Sequence, residues 1–338
     1  MSVAISAIGA VTPLGKTWAE TLAQYRQGKK RLLRDKSVIG PDGLPTRLAP
    51  VYAFHAQKDA PRRLAQLTLA ALHDLLEQRP EAASAEILLS LPGWVRQGGR
   101  EAAIIEWLAG ELPFEPESIG LCYSDEMTVP DLVLAAGHAS RPRIVAAADT
   151  FLAPPLLDSL INSSRLLCRD QPHGLIPGEA ATAFLIEPVR EQSVPDGVLA
   201  VLGACHTGLE DMDLNRPSGI LGQSLAGLVG RILDSGRSPR YLLSDLSGER
   251  WRSEEIALVL ARHADRLPDH MSQNIETPAS QLGYCGSAMA GILLAFGCDV
   301  ASRTRAADGP VGEALILISQ FGGLRSAAFL GGPERTTT

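Results

Sequence analysis

Two carboxylate pairs and two thiols are the residues of this chain whose types and spacing could do chemistry. Asp245 with Glu249, and Glu254 with Glu255, set carboxyls close together, as a general acid and base require. The plainer expectation is a turn for the first pair and, for the second, the exposed first turn of a helix, where acidic residues favour the dipole. Cys285 follows Tyr284 near a helix start, a place that can lower a thiol pKa, but the small residues from Gly283 to Gly291 predict close packing. Cys122 falls inside or at the edge of a strand, ahead of a helix that begins near Thr128. It is expected to be an ordinary buried or half-buried cysteine. His138 at a helix end and His206 after a strand read as a dipole partner and a loop residue.

The five cysteines (Cys122, Cys168, Cys205, Cys285, Cys298) are scattered and show no Cys-x-x-Cys spacing, and the seven histidines form no His-x-x-x-His pair. Neither a disulfide framework nor a metal site is expected. Glycines occur without Gly-x-Gly-x-x-Gly or Walker spacing, so they read as turns, and no cofactor is expected.

The elements that must position these groups alternate between strand and helix. Val3–Ile8 reads as a buried strand that ends in the turn Thr12-Pro13-Leu14-Gly15, followed by a helix over Thr17–Tyr25. The Lys/Arg-rich stretch Arg26–Arg47 has no sustained period and reads as a surface loop. Leu64, Leu67, Leu69, Leu72 and Leu75 give a helix from Pro61 one apolar face, and Glu86–Leu91 reads as a buried strand. Helix Glu101–Leu112, strand Ser118–Ser124 and helix Val129–Ala139 follow, the last with Thr128 as N-cap and Pro130 in its first turn. Strand Arg143–Asp149, a helix within Leu152–Leu167 and strand Ala180–Ile186 complete a first half. Beyond the breaker-rich link Pro188–Gly197 the pattern restarts. Strand Val198–Ala204, helix Ser224–Leu233, strand Tyr241–Leu246 and helix Ser253–Ala264 lead to the apolar segment Cys285–Phe296 and strands Glu313–Ser319 and Arg325–Leu330. The expected organisation is two related halves, 1–190 and 197–332, with a frayed tail at 333–338.

At 338 residues, with 45% hydrophobic and 20% charged residues, the chain is long enough for two packed halves and far from a disordered composition. A net charge of −7 leaves no electrostatic footprint for nucleic acid or anionic lipid, and no apolar run reaches the ~18 residues of a membrane span. A cytoplasmic protein without nucleic-acid or membrane partners is expected.

Four places carry a resemblance: Ile8-Gly9-Ala10-Val11-Thr12-Pro13-Leu14-Gly15, Pro177-Gly178-Glu179-Ala180-Ala181, Gly283-Tyr284-Cys285-Gly286-Ser287-Ala288 and Phe321-Gly322-Gly323. In order and spacing the chain resembles the β-ketoacyl-acyl-carrier-protein synthases of the thiolase superfamily. The resemblance implies an α/β, five-layered α-β-α-β-α fold of two related halves, and a homodimer through the first half. Condensation in that family needs a cysteine at a helix N-terminus and two histidines. The positions nearest to these are Cys122, Asp245 (with Ser244) and Tyr284, so the set resembles a degenerate one. A carboxylate cannot donate to a thioester carbonyl unless protonated and repels an enolate, and Tyr284 has no cationic form. The resemblance therefore implies a non-condensing scaffold, a partner of an active synthase or an adaptor, including one for type VI secretion effectors. The alternative is an acyltransferase or hydrolase working through Cys122 on acyl-carrier-protein or coenzyme A thioesters.

Overall fold

The computed structural model describes residues 2–189, 197–211, 220–306 and 312–332. Within the first half the elements run β1 (Val3–Val11), α1 (Trp18–Arg26), β2 (Leu33–Ile39), β3 (Pro45–Leu48), α2 (Ala60–Gln78), β4 (Glu86–Leu91), α3 (Gly93–Gly98), α4 (Glu101–Glu111), β5 (Ile119–Tyr123), α5 (Val129–Ala136), β6 (Arg143–Thr150), α6 (Pro154–Asn162) and β7 (Glu179–Pro188). The second half runs β8 (Ala200–Leu209), α7 (Gln223–Asp234), β9 (Tyr241–Ser244), α8 (Arg250–Arg262), β10 (Ile275–Glu276), α9 (Ala279–Leu282), α10 (Ala288–Ala306), β11 (Ala314–Ser319) and β12 (Leu324–Gly331).

Ten strands form one sheet in the order β10-β9-β11-β12-β8-β1-β7-β6-β4-β5. Outward from the antiparallel β1–β8 seam, each side steps antiparallel, antiparallel, parallel, parallel. The same pairing pattern is thus written twice. Most of the link between the halves, 190–196, and the tail 333–338 lie outside the described residues.

Five layers follow from which faces are apolar. The stripe Leu64, Leu67, Ala71, Leu72 and Leu75 seats α2 with α4 on the outer face of the first-half strands. On the opposite side, α7 and α8 cover β8, β9, β11 and β12. Between the two sheet halves lie α5 and α10. A helix apolar on every side must be buried on every side, and α10 is enclosed continuously from Ala288 to Ala301. Strand β1 is buried along its whole length, consistent with its place at the centre of the sheet.

Three sequence expectations are corrected. Arg26–Arg47 is not a loop throughout, because β2 and β3 pair there as a hairpin separate from the main sheet. Its alternation is mostly polar, so it carries no core-facing period. His206 lies within β8 opposite Ala327, not in a loop. Glu255 is not on an exposed turn: it is fully buried against Arg325 on β12, while Glu254 faces outward to Arg250.

Candidate functional site

A carboxylate occupies the head of α5. Thr128 caps the helix in extended conformation, and its backbone N–H and hydroxyl both donate to Asp131 Oδ2, at 3.3 and 2.5 Å. Asp131 Oδ1 accepts from the Thr207 hydroxyl at 2.5 Å and from the Cys205 thiol at 3.1 Å. The turn between β5 and α5, Ser124-Asp125-Glu126-Met127, contains no cysteine. The helix end that would stabilise a thiolate or an oxyanion therefore faces an anion instead.

Cys122 sits one residue before the end of β5, paired with Ser90 of β4 and half-buried. Burial, and then the nearby Glu126 carboxylate, push its thiol above the ordinary range.

The pseudo-equivalent head, that of α10, is closed in the same way. Ser287 donates its backbone N–H at 2.7 Å and its hydroxyl at 2.9 Å to Asp149 Oδ2, at the end of β6. Gly286 makes this approach possible. Its φ of +57° is one that L side chains rarely adopt, and a Cβ there would lie 2.0 Å from the Asp149 oxygen. Cys285, just ahead, is completely buried, and burial followed by the Glu179 and Asp149 charges raises its pKa well above normal.

Burial raises Asp149 to about 6, against the opposing hydrogen bonds from Ser287 and Thr150. For an acid whose folded pKa lies above its unfolded value of ~3.9, the folded chain holds the extra proton between the two, so stability falls as pH rises through that window. The Asp149 contribution is on the order of 3 kcal/mol between pH 4 and pH 7. Asp149→Asn should therefore flatten the pH dependence of urea unfolding relative to wild type. Parallel curves for the two proteins would contradict the assignment.

Asp245 and Tyr284 do come together, through a residue that sequence reasoning passed over. Arg252 on α8 is 1% exposed, and its Nη1 donates to Asp245 Oδ2 and to the Ser319 carbonyl. Its Nη2 donates to the Tyr284 hydroxyl at 2.7 Å and its Nε to Glu249 Oε2 at 3.3 Å. Glu249 also takes both arms of Arg165, at 2.8 and 3.2 Å, and Arg165 stacks 3.8 Å over the Phe321 ring. Tyr284 is stacked on Phe151 at 5.9 Å, and its backbone bonds Ile176 and Gly178 of the first half. The cluster thus bridges the two halves.

Its electrostatics are those of a closed ion-pair network. Burial lifts Asp245 above the usual carboxylate range, with Arg252 pulling the other way. Burial acts upward on Glu249 too, but hydrogen bonds and charge from Arg165 and Arg252 bring it below that range. Burial raises the Tyr284 phenol further from neutrality. The guanidinium already serves four acceptors, so it has little left to offer a substrate carbonyl.

No hydrogen bond or ion pair of Asp245 or Tyr284 reaches Cys122 among the described residues. Four surface cavities of about 240 to 570 Å³ are lined by other residues. Asp245 and Glu249 lie in the connection between β9 and α8, and both carboxylates are buried on Arg252. Among the described residues no group of three or more His, Cys, Asp or Glu is placed to hold a metal ion, and no helix is long and apolar enough to cross a membrane.

No protein-family model matches the sequence, and no curated protein does. Solved structures do match. A chain of AntDE:AntF, a type II PKS acyl-carrier protein in complex with its ketosynthase, is 16% identical over 98% of this chain and 99% of its own, with a TM-score of 0.72. The ketosynthase from module 6 of the bacillaene synthase of Bacillus subtilis 168 is 12% identical over 99% of this chain and 73% of its own, at 0.76. The ketosynthase ApeO in complex with its chain length factor ApeC, from Xenorhabdus doucetiae, gives 14% identity, 98% coverage of both chains and 0.66. At such identities the likeness is one of fold: a thiolase-like α/β architecture of two related halves, shared with ketosynthases and chain length factors.

Proposed function

We propose that this chain is a non-condensing, ketosynthase-shaped scaffold that works by binding another protein. The observation that carries this reading is the Arg252 cluster. Asp245 and Tyr284 are tied to a buried guanidinium, and neither is left free to polarise a thioester or stabilise an enolate. The blocked helix heads agree with it, since Asp131 and Asp149 stand where positive helix ends would activate a thiol or hold an oxyanion.

Narrower forms of the same reading are a partner to an active condensing chain that engages its acyl carrier protein, and an adaptor that loads type VI secretion effectors. Both need a partner-facing surface and no reactive sulfur. A homodimer through the first half fits as well. Strand β5 is an outer strand of the ten-stranded sheet, with half-buried Leu121, Cys122 and Tyr123, and a second copy could extend the sheet there.

The test is the reactivity of Cys122, since the thiolate is the reactive form. With its pKa raised, alkylation by iodoacetamide should climb only in the alkaline range, later than for a free cysteine, as followed by peptide mass spectrometry. A rate plateau already reached near pH 6 to 7 would reveal an activated thiol and overturn the reading.

A further inference from the structure

Every lysine of the chain falls between Lys16 and Lys58: Lys16, Lys29, Lys30, Lys36 and Lys58. The same stretch holds Arg26, Arg31, Arg34 and Arg47 against Glu20, Asp35 and Asp42, a net +6 inside a chain whose total is −7. The five lysines and Arg31, Arg34 and Arg47 are all exposed, and among the described residues none of these eight is in an ion pair. Elsewhere some surface arginines lie against carboxylates, as Arg79 does on Glu81, Arg96 on Asp125 and Glu126, and Arg266 on Asp234, while the exposed Arg62, Arg100, Arg141, Arg231 and Arg262 stand in no ion pair among the described residues. The 16–58 stretch thus concentrates net positive charge on a chain that is acidic overall, with Arg26 paired to Asp299 and Lys58 close to Asp35.

That region also exposes apolar side chains. Leu33 is 45% exposed, Ile39 50%, Leu44 49% and Tyr52 81%. Leu33 and Tyr52 reach a groove of about 570 Å³ whose lining includes Leu14 and Val51, with Lys16 and Arg31 beside them. The only carboxylate in the lining, Glu20, accepts the Lys16 backbone N–H at 2.8 Å. Apolar groups ringed by charges of one sign make an interface centre with a steering rim. The β2–β3 ribbon stands apart from the main sheet, and a two-stranded ribbon alone is marginal in water.

We infer that the β2–β3 hairpin and the groove beside it dock an acidic, amphipathic segment of a partner protein. This rests on the adaptor reading and names the chemistry of its partner. A protein fits better than a bilayer, because a flat lipid surface cannot follow a concave groove. It fits better than nucleic acid, because three of the four exposed apolar side chains are aliphatic and give bases no stacking face.

The test is photo-crosslinking in the native host, with a benzophenone amino acid placed at Leu33 or Tyr52 of the full chain and, as a control, at Trp107 on α4. The expected adduct at Leu33 and Tyr52, but not at Trp107, is a protein segment in which Asp and Glu outnumber Lys and Arg and apolar residues are interleaved. Its yield should fall about tenfold or more in the variant carrying Lys29→Glu, Lys30→Glu, Arg34→Glu and Lys36→Glu, as expected when like charges are set against each other at an interface. That variant should keep the wild-type unfolding midpoint, because the four side chains are exposed and unpaired. An adduct with lipid or nucleic acid, a neutral or basic protein segment, an undiminished yield in the variant or no adduct at all would each overturn the inference. Failure here with an unactivated Cys122 removes the docking surface alone. An acidic-segment adduct on a protein with an activated Cys122 removes the non-condensing reading alone.

Discussion

Arg252→Ala should cost about 3–5 kcal/mol of folding stability, the range for breaking a buried ion pair by removing one partner. The reason is what remains behind. Asp245, 2% exposed, would keep only the Ser319 backbone N–H at 3.0 Å, and the Tyr284 hydroxyl would lose its donor. Glu249 would still hold Arg165, so the damage centres on Asp245. Against a total stability of ~5–15 kcal/mol for a typical domain, such a loss should shift the urea midpoint far down or leave the protein insoluble. Arg252→Lys should recover only part of it, because an ammonium cannot present a planar fork to Asp245, the Ser319 carbonyl and Tyr284 together. Joint replacement of Arg252 by Met and Asp245 by Leu should recover more, since it leaves no lone buried charge. A midpoint unchanged in Arg252→Ala would show that the cluster is not structural and would reopen a role in handling substrate.

Much of the architecture was legible in the chain because the relevant elements bury one kind of surface. Strand β4 was readable to the residue, Glu86–Leu91, and the start of α5 from Thr128 and Pro130, because apolar runs and caps are local signals. The β2–β3 hairpin was not, since its strands alternate mostly polar residues, and its small buried contact, Val38 and Leu48 against Leu152 and Leu157, comes from a distant part of the chain. Arg252 was hidden for the opposite reason. In Glu249-Arg250-Trp251-Arg252 it looks like one more charge on a solvated helix, and its burial depends on Asp245, Ser319 and Tyr284 arriving from three other places in the chain. The sequence pattern marked Asp245 and Tyr284 as positions of interest, but only tertiary structure shows what neutralises them. Asp149 was visible as the acidic residue that ends the expected strand Arg143–Asp149. Its bond to the head of α10 was not, because the partner, Ser287, lies 138 residues away.

The remaining large effect concerns chemistry. Condensing catalysis would have to lower its barrier through an activated sulfur and donors aimed at a developing enolate, and enzymes commonly gain about a millionfold or more over the uncatalysed rate. Here Cys122 has a raised pKa, the heads of α5 and α10 are closed by Asp131 and Asp149, and the Arg252 donors are spent on internal acceptors. The most direct measurement supplies the purified chain with isotopically labelled malonyl thioester, on coenzyme A and on acyl carrier protein, with an acyl-primed thioester present. Carbon dioxide release, β-ketoacyl product and the intact protein mass are then read together. The account predicts release at the rate of the protein-free blank, no β-ketoacyl product and no acyl adduct on Cys122. Decarboxylation well above that blank, or an acyl mass on Cys122 that disappears in Cys122→Ala, would contradict it.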